Sequence, residues 1–226
     1  MSKRVWLFDL DNTLHDAGPW VFAQMNATMT QYVQQTLGLP AAEADALRHA
    51  YWRRYGSTLL GLMRHHGVKA AHFLHETHRF PGLEAAVSGH RHDFAAIARL
   101  SGRRIVLTNA PRAYALRVLD ALRITPLFDE VLSVEDLRMF GQLRPKPDRR
   151  MLRAVATRLR VAPGDCVLVE DALDNLIAAR AVGMRGVWMQ RYARRGAHAG
   201  PRVARWSVRP AGMRVVRSLA RLAALR

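Results

Sequence analysis

Short runs of consecutive apolar residues alternate with helical patterns along most of the 226-residue chain. The runs are rich in β-branched and aromatic side chains, and they predict strands at residues 5–10, 104–109, 131–134, 166–171 and 186–189. Between them, apolar residues at helical spacing predict helices at residues 94–100, 113–122, 149–159 and 175–182. Apolar strands that alternate with helices are typical of a parallel sheet covered on both faces. We therefore predict an α/β fold with a Rossmann-like parallel sheet core.

The alternation stops between residues 18 and 89, where the pattern predicts helices without strands, at 21–37, 41–55 and 58–66. Pro40, followed by two alanines, suits the start of the second of these helices. We expect residues 18–89 to form a helical domain inserted after the first strand, and residues 1–17 and 90–226 to form the α/β core domain. Near the C-terminus the pattern predicts a short strand at 205–208 and an amphipathic helix from about residue 213.

Composition places the chain among ordinary globular proteins, since half of its residues are hydrophobic. No apolar run approaches the roughly 20 residues that a membrane span needs. Asp9 interrupts the first apolar run too early for a signal peptide. The single cysteine, Cys166, excludes an internal disulfide. We expect a reduced, cytoplasmic protein without a transmembrane segment.

The formal net charge of +17 is concentrated in the last 36 positions, which hold ten arginines and no acidic residue. Such a segment could bind nucleic acid or an anionic membrane surface. However, the chain uses Arg for nearly all of its basic positions, with lysine only at residues 3, 69 and 146. A general preference for Arg is the simpler explanation, and we expect the C-terminal helix to pack on the sheet. The oligomeric state is left open.

The stretch FDLDNTLHD at residues 8–16 places acidic groups where the first predicted strand ends. Residues two apart in a strand point the same way, so Asp9 and Asp11 face one spot. Open α/β sheets bind ligands at this carboxyl edge. Two adjacent carboxylates repel each other unless a cation or a shared proton compensates, and Mg²⁺ suits an oxygen-rich site. A helix cap would explain the same residues, and this motif alone does not decide between the two.

Three further stretches bring polar groups to predicted strand ends or turns. Thr108, followed by Asn109, ends a strand, and a hydroxyl with the N–H groups of the next turn can hold a phosphate oxygen. Lys146 lies between two prolines, in a chain that otherwise prefers Arg, and this indicates that a compact point charge is needed there. A solvated surface lysine in a turn is the ordinary explanation for such a residue. Glu170 and Asp171 end another apolar strand and are candidates for metal ligation or, alternatively, for a helix cap.

These features follow one another along the chain as DxDxT at residues 9–13, then Thr108, Lys146 and the acidic pair. The ordered set resembles the four motifs of the haloacid dehalogenase-like hydrolase superfamily, and the helical insertion resembles that family's cap. Within the insertion, YWRRYGSTLLGL at 51–62 is similar to the YGTTxxGL pattern of the pyrimidine 5′-nucleotidase subfamily. Ala172 departs from the family pattern, in which many relatives have Ser, and we expect this change to leave metal binding intact.

The resemblance implies that Asp9 attacks phosphorus to form an aspartyl-phosphate, and that Asp11 exchanges protons with the leaving alcohol and then with water. Thr108 and Lys146 would hold the transferring phosphoryl oxygens. The implied cofactor is Mg²⁺, with Asp9, a backbone carbonyl at Asp11, Glu170 and Asp171 as its ligands. The remaining implied substrate-binding residues are Leu10, Asn12 and Asn109 near the phosphate, and Tyr55, Gly56, Ser57 and Thr58 in the cap. A plain helix break at Gly56 would explain the cap turn without a ligand.

We therefore predict a Mg²⁺-dependent phosphomonoesterase that hydrolyses pyrimidine nucleoside 5′-monophosphates. One alternative keeps the chemistry and changes the substrate to phosphoglycolate, a sugar phosphate or thiamine monophosphate. Another is a protein that binds nucleic acid or a membrane surface through the Arg-rich tail, but such a module has no use for four carboxylates at one edge of a sheet. The expected partner is a small phosphate ester, and we expect no nucleic acid.

Overall fold

A computed structural model describes residues 3–192 and 213–224 of the protein. The described strands are β1 (Val5–Phe8), β2 (Arg103–Leu107), β3 (Glu130–Leu132), β4 (Arg138–Met139), β5 (Gln142–Leu143), β6 (Cys166–Glu170), β7 (Arg185–Met189) and β8 (Arg214–Val216). The described helices are α1 (Gly18–Leu37), α2 (Ala41–Tyr55), α3 (Thr58–His66), α4 (Ala70–Thr77), α5 (Leu83–Ala86), α6 (Arg91–Ala98), α7 (Arg112–Ala121), α8 (Arg149–Arg158) and α9 (Leu173–Ala181). None of the helices in this part of the chain is long and apolar enough to cross a membrane.

Six of the strands form one parallel sheet in the order β3-β2-β1-β6-β7-β8, and β4 and β5 form a small antiparallel hairpin. The central strand β1 is buried on both faces. Val5 and Leu7 pack into a cluster with α8 and α9, whereas Trp6 and Phe8 point to the opposite face and are also buried. The predicted α/β fold with a parallel sheet core is confirmed.

Strand register aligns the carboxyl ends of the three central strands. Phe8 at the end of β1 pairs with Val106 of β2 and with Val169 of β6. The residues that follow these strands therefore leave the sheet at nearly the same level. This alignment gathers three segments that are far apart in sequence at one edge.

The chain divides into two compact units, Met1–Pro19 with Glu84–Arg226, and Trp20–Leu83. The second unit is helical and contains most of α1 together with α2, α3 and α4. Within it, a Cβ atom at Gly61 would lie 2.2 Å from the Tyr51 ring, so α2 and α3 pack closely only because residue 61 is a glycine. The Tyr32 ring meets Phe73 edge-on, with ring centroids 5.1 Å apart.

The predicted C-terminal helix from about residue 213 is wrong. Met213 lies in the core, Arg214–Val216 form β8 beside β7, and Leu219–Ala224 form a 3₁₀ helix. Two consecutive β-branched residues favour a strand, and the edge of β7 supplies the hydrogen-bonding partners that the local pattern does not show. The predicted strand at 205–208 lies outside the described residues.

Candidate active site

Asp9 is the first residue after β1 and lies against β6. Its N–H donates a hydrogen bond to the Val169 carbonyl at 2.9 Å, and only 7% of the residue is exposed. The chain then turns sharply, because Asn12 adopts the left-handed conformation at φ 58° and the Leu14 N–H bonds the Leu10 carbonyl at 2.9 Å. This turn holds Asp9 and Asp11 at the end of the strand. Direct substrate contacts of Leu10 and Asn12 stay a prediction.

Lys146 connects two of the predicted acidic groups. Its Nζ donates to Asp9 Oδ1 at 2.7 Å and to Glu170 Oε2 at 2.6 Å, and only 2% of the residue is exposed. Burial by itself would lower the pKa of Lys146, but the charges of Asp9 and Glu170 outweigh it and raise that pKa above its ordinary value. The ammonium group therefore stays charged in a buried position.

The backbone of Lys146 is held by Asn109, which follows β2. The Asn109 side-chain Nδ2 donates to the Lys146 carbonyl at 2.9 Å, and its Oδ1 accepts from the Lys146 N–H at 2.8 Å. On the other side of the lysine, Asp148 caps α8 by accepting from the N–H groups of Arg150 and Met151. These bonds give Asn109 a positioning role that the sequence did not reveal. A direct contact between Asn109 and substrate stays a prediction.

Asp9, Glu170 and Asp171 form an acidic cluster in which each residue can place one oxygen within 4.8 Å of the others. Burial raises the pKa of Asp9 to about 7, and Glu170 and Asp11 add to the rise while Lys146 opposes it. Burial, followed by the charges of Glu170 and Asp9, also raises the pKa of Asp171 well above its ordinary value. When all three carboxylates are ionised, the single ammonium group of Lys146 leaves the cluster with excess negative charge, which a bound cation or proton would balance. Carboxylate oxygens in this number fit Mg²⁺.

The Asp11 carboxylate makes different contacts from the other predicted metal ligands. Its Oδ1 accepts a hydrogen bond from the Tyr114 hydroxyl at 2.7 Å and lies 2.9 Å from His15 Nε2. Tyr114 is 1% exposed, and His15 is fully buried. Burial, together with the charge of Asp11, raises the pKa of Tyr114, which keeps its hydroxyl protonated. Metal ligation by the Asp11 backbone carbonyl stays a prediction.

Sequence reasoning missed Tyr114 and His15. Tyr114 lies 103 residues from Asp11 and has the appearance of an ordinary core aromatic on a helix. His15 offered a weak signal, because it follows Asp11 by four residues within the motif that carries the acidic pair.

Thr108 directly follows β2 and is buried at the same edge of the sheet. Its N–H donates to the Leu132 carbonyl at 2.9 Å, and its hydroxyl oxygen accepts from the Ala110 N–H at 3.0 Å. Because the hydroxyl acts as an acceptor in that bond, its own proton can be donated to another group. The hydroxyl is therefore free to donate, and its role in holding a phosphoryl oxygen stays a prediction.

The four predicted cap residues lie in the helical unit, where α2 ends and α3 begins. Gly56 adopts the left-handed conformation at φ 73°, and its N–H closes α2 on the Trp52 carbonyl. The Thr58 hydroxyl donates to the Arg48 carbonyl at 3.0 Å, and the Tyr55 hydroxyl lies 2.5 Å from a ring nitrogen of His65. These contacts are internal to the unit and account for the turn as a helix end. A role for these residues in substrate choice stays a prediction.

Residues 3–183 match the model of a family of hydrolases described as haloacid dehalogenase-like. The chain is a haloacid dehalogenase-like hydrolase. The match spans the predicted motifs from Asp9 to Asp171, and the predicted superfamily is confirmed. No subfamily follows from this match.

Several named relatives of this hydrolase are phosphoglycolate or hexitol phosphatases. It is 24% identical over 195 residues to phosphoglycolate phosphatase 1 of Pseudomonas aeruginosa, which covers 80% of this chain and 67% of that protein. It is 26% identical over 192 residues to hexitol phosphatase B of Escherichia coli K12, covering 80% of this chain and 81% of the other. Among solved structures, an HAD phosphatase from Thermococcus onnurineus aligns over 98% of this hydrolase and 97% of its own chain, with 19% identity and a TM-score of 0.61. The similarity to this solved structure shows the fold alone.

Proposed function

We propose that this hydrolase is a Mg²⁺-dependent phosphomonoesterase that acts on small phosphate esters such as phosphoglycolate or a sugar phosphate. The observation that carries the proposal is the Lys146 ammonium group, which bonds Asp9 at 2.7 Å within a cluster of three buried or half-buried carboxylates. The names of the relatives favour small phosphate esters over the pyrimidine nucleotides that the cap motif indicated.

The proposed chemistry has two steps, and this chain supplies a group for each. In the first step Asp9 forms a bond to phosphorus, the ester P–O bond breaks, and Asp11 gives its proton to the departing alcohol oxygen. In the second step water attacks the phosphorus of the aspartyl-phosphate and gives a proton to Asp11, which releases inorganic phosphate and restores Asp9. The cycle consumes one ester and one water and leaves the protein unchanged.

The other residues of the site bind the charged phosphoryl group or the metal ion, or position a residue that does. Lys146 and Thr108 donate hydrogen bonds to the oxygens of the transferring phosphoryl group. Asp9, Glu170 and Asp171 would hold Mg²⁺, which when bound supplies the positive charge that offsets repulsion between a carboxylate and a phosphate. The Asn109 side chain keeps Lys146 in place through two hydrogen bonds to the Lys146 backbone.

Pyrimidine nucleoside 5′-monophosphates are the second candidate substrates. Besides the similarity of the YGST turn to the subfamily pattern, Ser57 precedes α3 without giving that helix a side-chain cap. Its hydroxyl therefore does not perform the usual task of a serine at this position. A ligand contact would explain why a serine is placed there.

The test is phosphate release from a panel of esters with Mg²⁺ and with EDTA. The panel contains phosphoglycolate, a hexitol phosphate, thiamine monophosphate, UMP, CMP and AMP. We expect phosphoglycolate or the hexitol phosphate to give the highest kcat/KM, and EDTA to abolish release. UMP and CMP clearly ahead of the others would establish the second candidate instead.

Two variants complete the test of the proposed function. Asp9→Asn removes the nucleophile, and we expect no turnover. Asp165→Asn is the matched control, since it makes the same chemical change just before β6, at the opposite edge of the sheet from Asp171. Release that survives in Asp9→Asn, or that never depends on Mg²⁺ in the wild-type protein, would overturn the proposal.

A further inference from the structure

The Asp11 carboxylate is held on one oxygen by two buried side chains. The Tyr114 hydroxyl donates to Oδ1 at 2.7 Å, and His15 Nε2 lies 2.9 Å from the same atom. Both holding groups are rigidly placed, because Tyr114 lies in the first turn of α7 and His15 is bridged by its backbone to Asp11. We propose that Tyr114 and His15 are positioning residues that keep Asp11 aimed at the leaving group and then at the attacking water. This inference rests on the proposed function, in which Asp11 moves the proton.

Solvation alone does not require this arrangement. The Asp11 side chain is 19% exposed, so water can reach it. Tyr114 and His15 both contact the same oxygen of this partly exposed carboxylate. Their effect is therefore to restrict rotation of the carboxylate, since water can still hydrate it. A carboxylate that turns freely would present its proton along the required direction for only part of the time.

The contacts on Oδ1 are compatible with both steps of the reaction. Because Oδ1 accepts from the Tyr114 hydroxyl and lies 2.9 Å from His15 Nε2, we assign the imidazole proton to Nε2 and the transferred proton to Oδ2. In the first step Oδ2 carries the proton, and Oδ1 is then a carbonyl oxygen that still accepts hydrogen bonds. In the second step the carboxylate is ionised, and Oδ1 accepts from the same two donors, with the imidazole proton on Nε2. The two bonds therefore persist while Asp11 changes from acid to base.

A good leaving group separates this role from a purely structural one. With p-nitrophenyl phosphate, the nitrophenolate departs with little help from a proton donor, whereas hydrolysis of the aspartyl-phosphate still needs Asp11 as the base. Loss of the Tyr114 hydroxyl should therefore slow the second step more than the first. The aspartyl-phosphate should then accumulate.

The experiment is a rapid-quench measurement on wild type and Tyr114→Phe with p-nitrophenyl phosphate and with the best ester of the panel. For Tyr114→Phe we expect a burst of about one nitrophenolate per enzyme, followed by a steady rate about 10-fold or more below wild type. Acid-quenched protein should carry a phosphoryl group, detected by intact mass. With the alkyl ester we expect no burst, a kcat lower by about 10- to 100-fold and a nearly unchanged KM.

Tyr32→Phe is the matched control, because it too removes the hydroxyl of a buried tyrosine. The Tyr32 hydroxyl lies in the helical unit, 2.9 Å from His72 Nδ1. It should lower the melting temperature without producing a burst. His15→Gln provides a second variant should Tyr114→Phe fold poorly, and we expect the same burst from it.

The possible failures can be told apart. With p-nitrophenyl phosphate, equal slowing of both steps in Tyr114→Phe would overturn the positioning role alone, and so would unchanged kinetics with a lower melting temperature. A wild-type protein that releases no phosphate from any ester in the presence of Mg²⁺ would overturn the proposed function and the inference with it.

Discussion

Replacing Asp9 by Asn is expected to stabilise the metal-free protein while it abolishes the proposed activity. Asp9 is 7% exposed and lies beside Glu170 and Asp171, so its negative charge is unfavourable in the folded state without a bound cation. The pKa of Asp9 is accordingly raised from 3.8 to about 7, first by burial and then by Glu170. An Asn side chain has nearly the same shape and carries no charge.

The size and sign of the effect follow from the raised pKa. Between about pH 4 and pH 7 the folded protein binds a proton at Asp9 that the unfolded chain has lost, so the free energy of unfolding falls as the pH rises. A shift of about three pH units corresponds to about 4 kcal/mol, of which roughly 2.3 kcal/mol develops between pH 5 and pH 7. Since Asn also weakens the bond to Lys146, we expect a net gain of about 2 kcal/mol at pH 8 and a smaller one at pH 5.

Urea unfolding in EDTA, followed by tryptophan fluorescence between pH 5 and pH 8, measures this difference. The control is Asp165→Asn, which lies apart from the acidic cluster and should give a smaller gain. Saturating Mg²⁺ should make the wild-type protein more stable than Asp9→Asn. The wild-type protein binds the ion, and its free energy of unfolding rises by about 2.7 kcal/mol at 100 times the Kd. If Asp9→Asn in EDTA is no more stable than wild type at pH 8, or if its gain is the same at every pH, the argument from buried charge is wrong.

Three other changes test separate parts of the site. Asp171→Asn should raise the Mg²⁺ concentration needed for half-maximal phosphate release by about 10-fold or more, because it removes one charged ligand from the cluster. Asn109→Ala should lower kcat by about 10-fold in steady-state assays, because the Lys146 backbone loses both of its hydrogen bonds to the Asn109 side chain. Lys146→Arg keeps the charge but should lower kcat/KM by about 100-fold, since the larger planar group does not fit between two carboxylates at 2.6 and 2.7 Å.

Each of these has a matched control and a contradicting result. Asp174→Asn controls for Asp171→Asn, and equal Mg²⁺ requirements in the two variants would remove Asp171 from the ligands. Asn175→Ala makes the same change as Asn109→Ala in α9, and similar kinetics in both would show that the bonds to Lys146 are dispensable. Lys69→Arg substitutes an exposed lysine, and activity in Lys146→Arg within twofold of that variant would show that any cation suffices.

The fold was predictable where local pattern and tertiary environment agree. The runs that became β1, β2 and β6 are mostly apolar, because most of their residues are buried whichever face of the sheet they point to. This apolar run is visible in the sequence itself. The segment from Met213 is different, since its apolar residues fit a helix as well as a strand. The neighbouring edge of β7 decides between them, and that edge is not local information.

The candidate site was predictable as a set of residues but not as a set of contacts. Strand ends with acidic or hydroxyl side chains are visible in the sequence, and the parallel order of the strands brings them to one edge. The bonds from Asn109 to the Lys146 backbone and from Tyr114 to Asp11 depend on loop and helix positions. They join residues 37 and 103 positions apart, and no spacing rule connects such pairs.

The lysine at position 146, in a chain with only three lysines among 35 basic residues, now has a physical explanation. An ammonium group has three donors, and two of them reach Asp9 and Glu170, which leaves the third for the phosphoryl oxygen of the proposed reaction. An Arg would instead pair its planar fork with one carboxylate and immobilise the proposed nucleophile. The proposed function therefore requires a residue here that is both compact and charged, placed to contact Asp9, Glu170 and the substrate. Partial neutralisation of Asp9 by Lys146 also leaves enough negative charge on the cluster to attract a divalent cation.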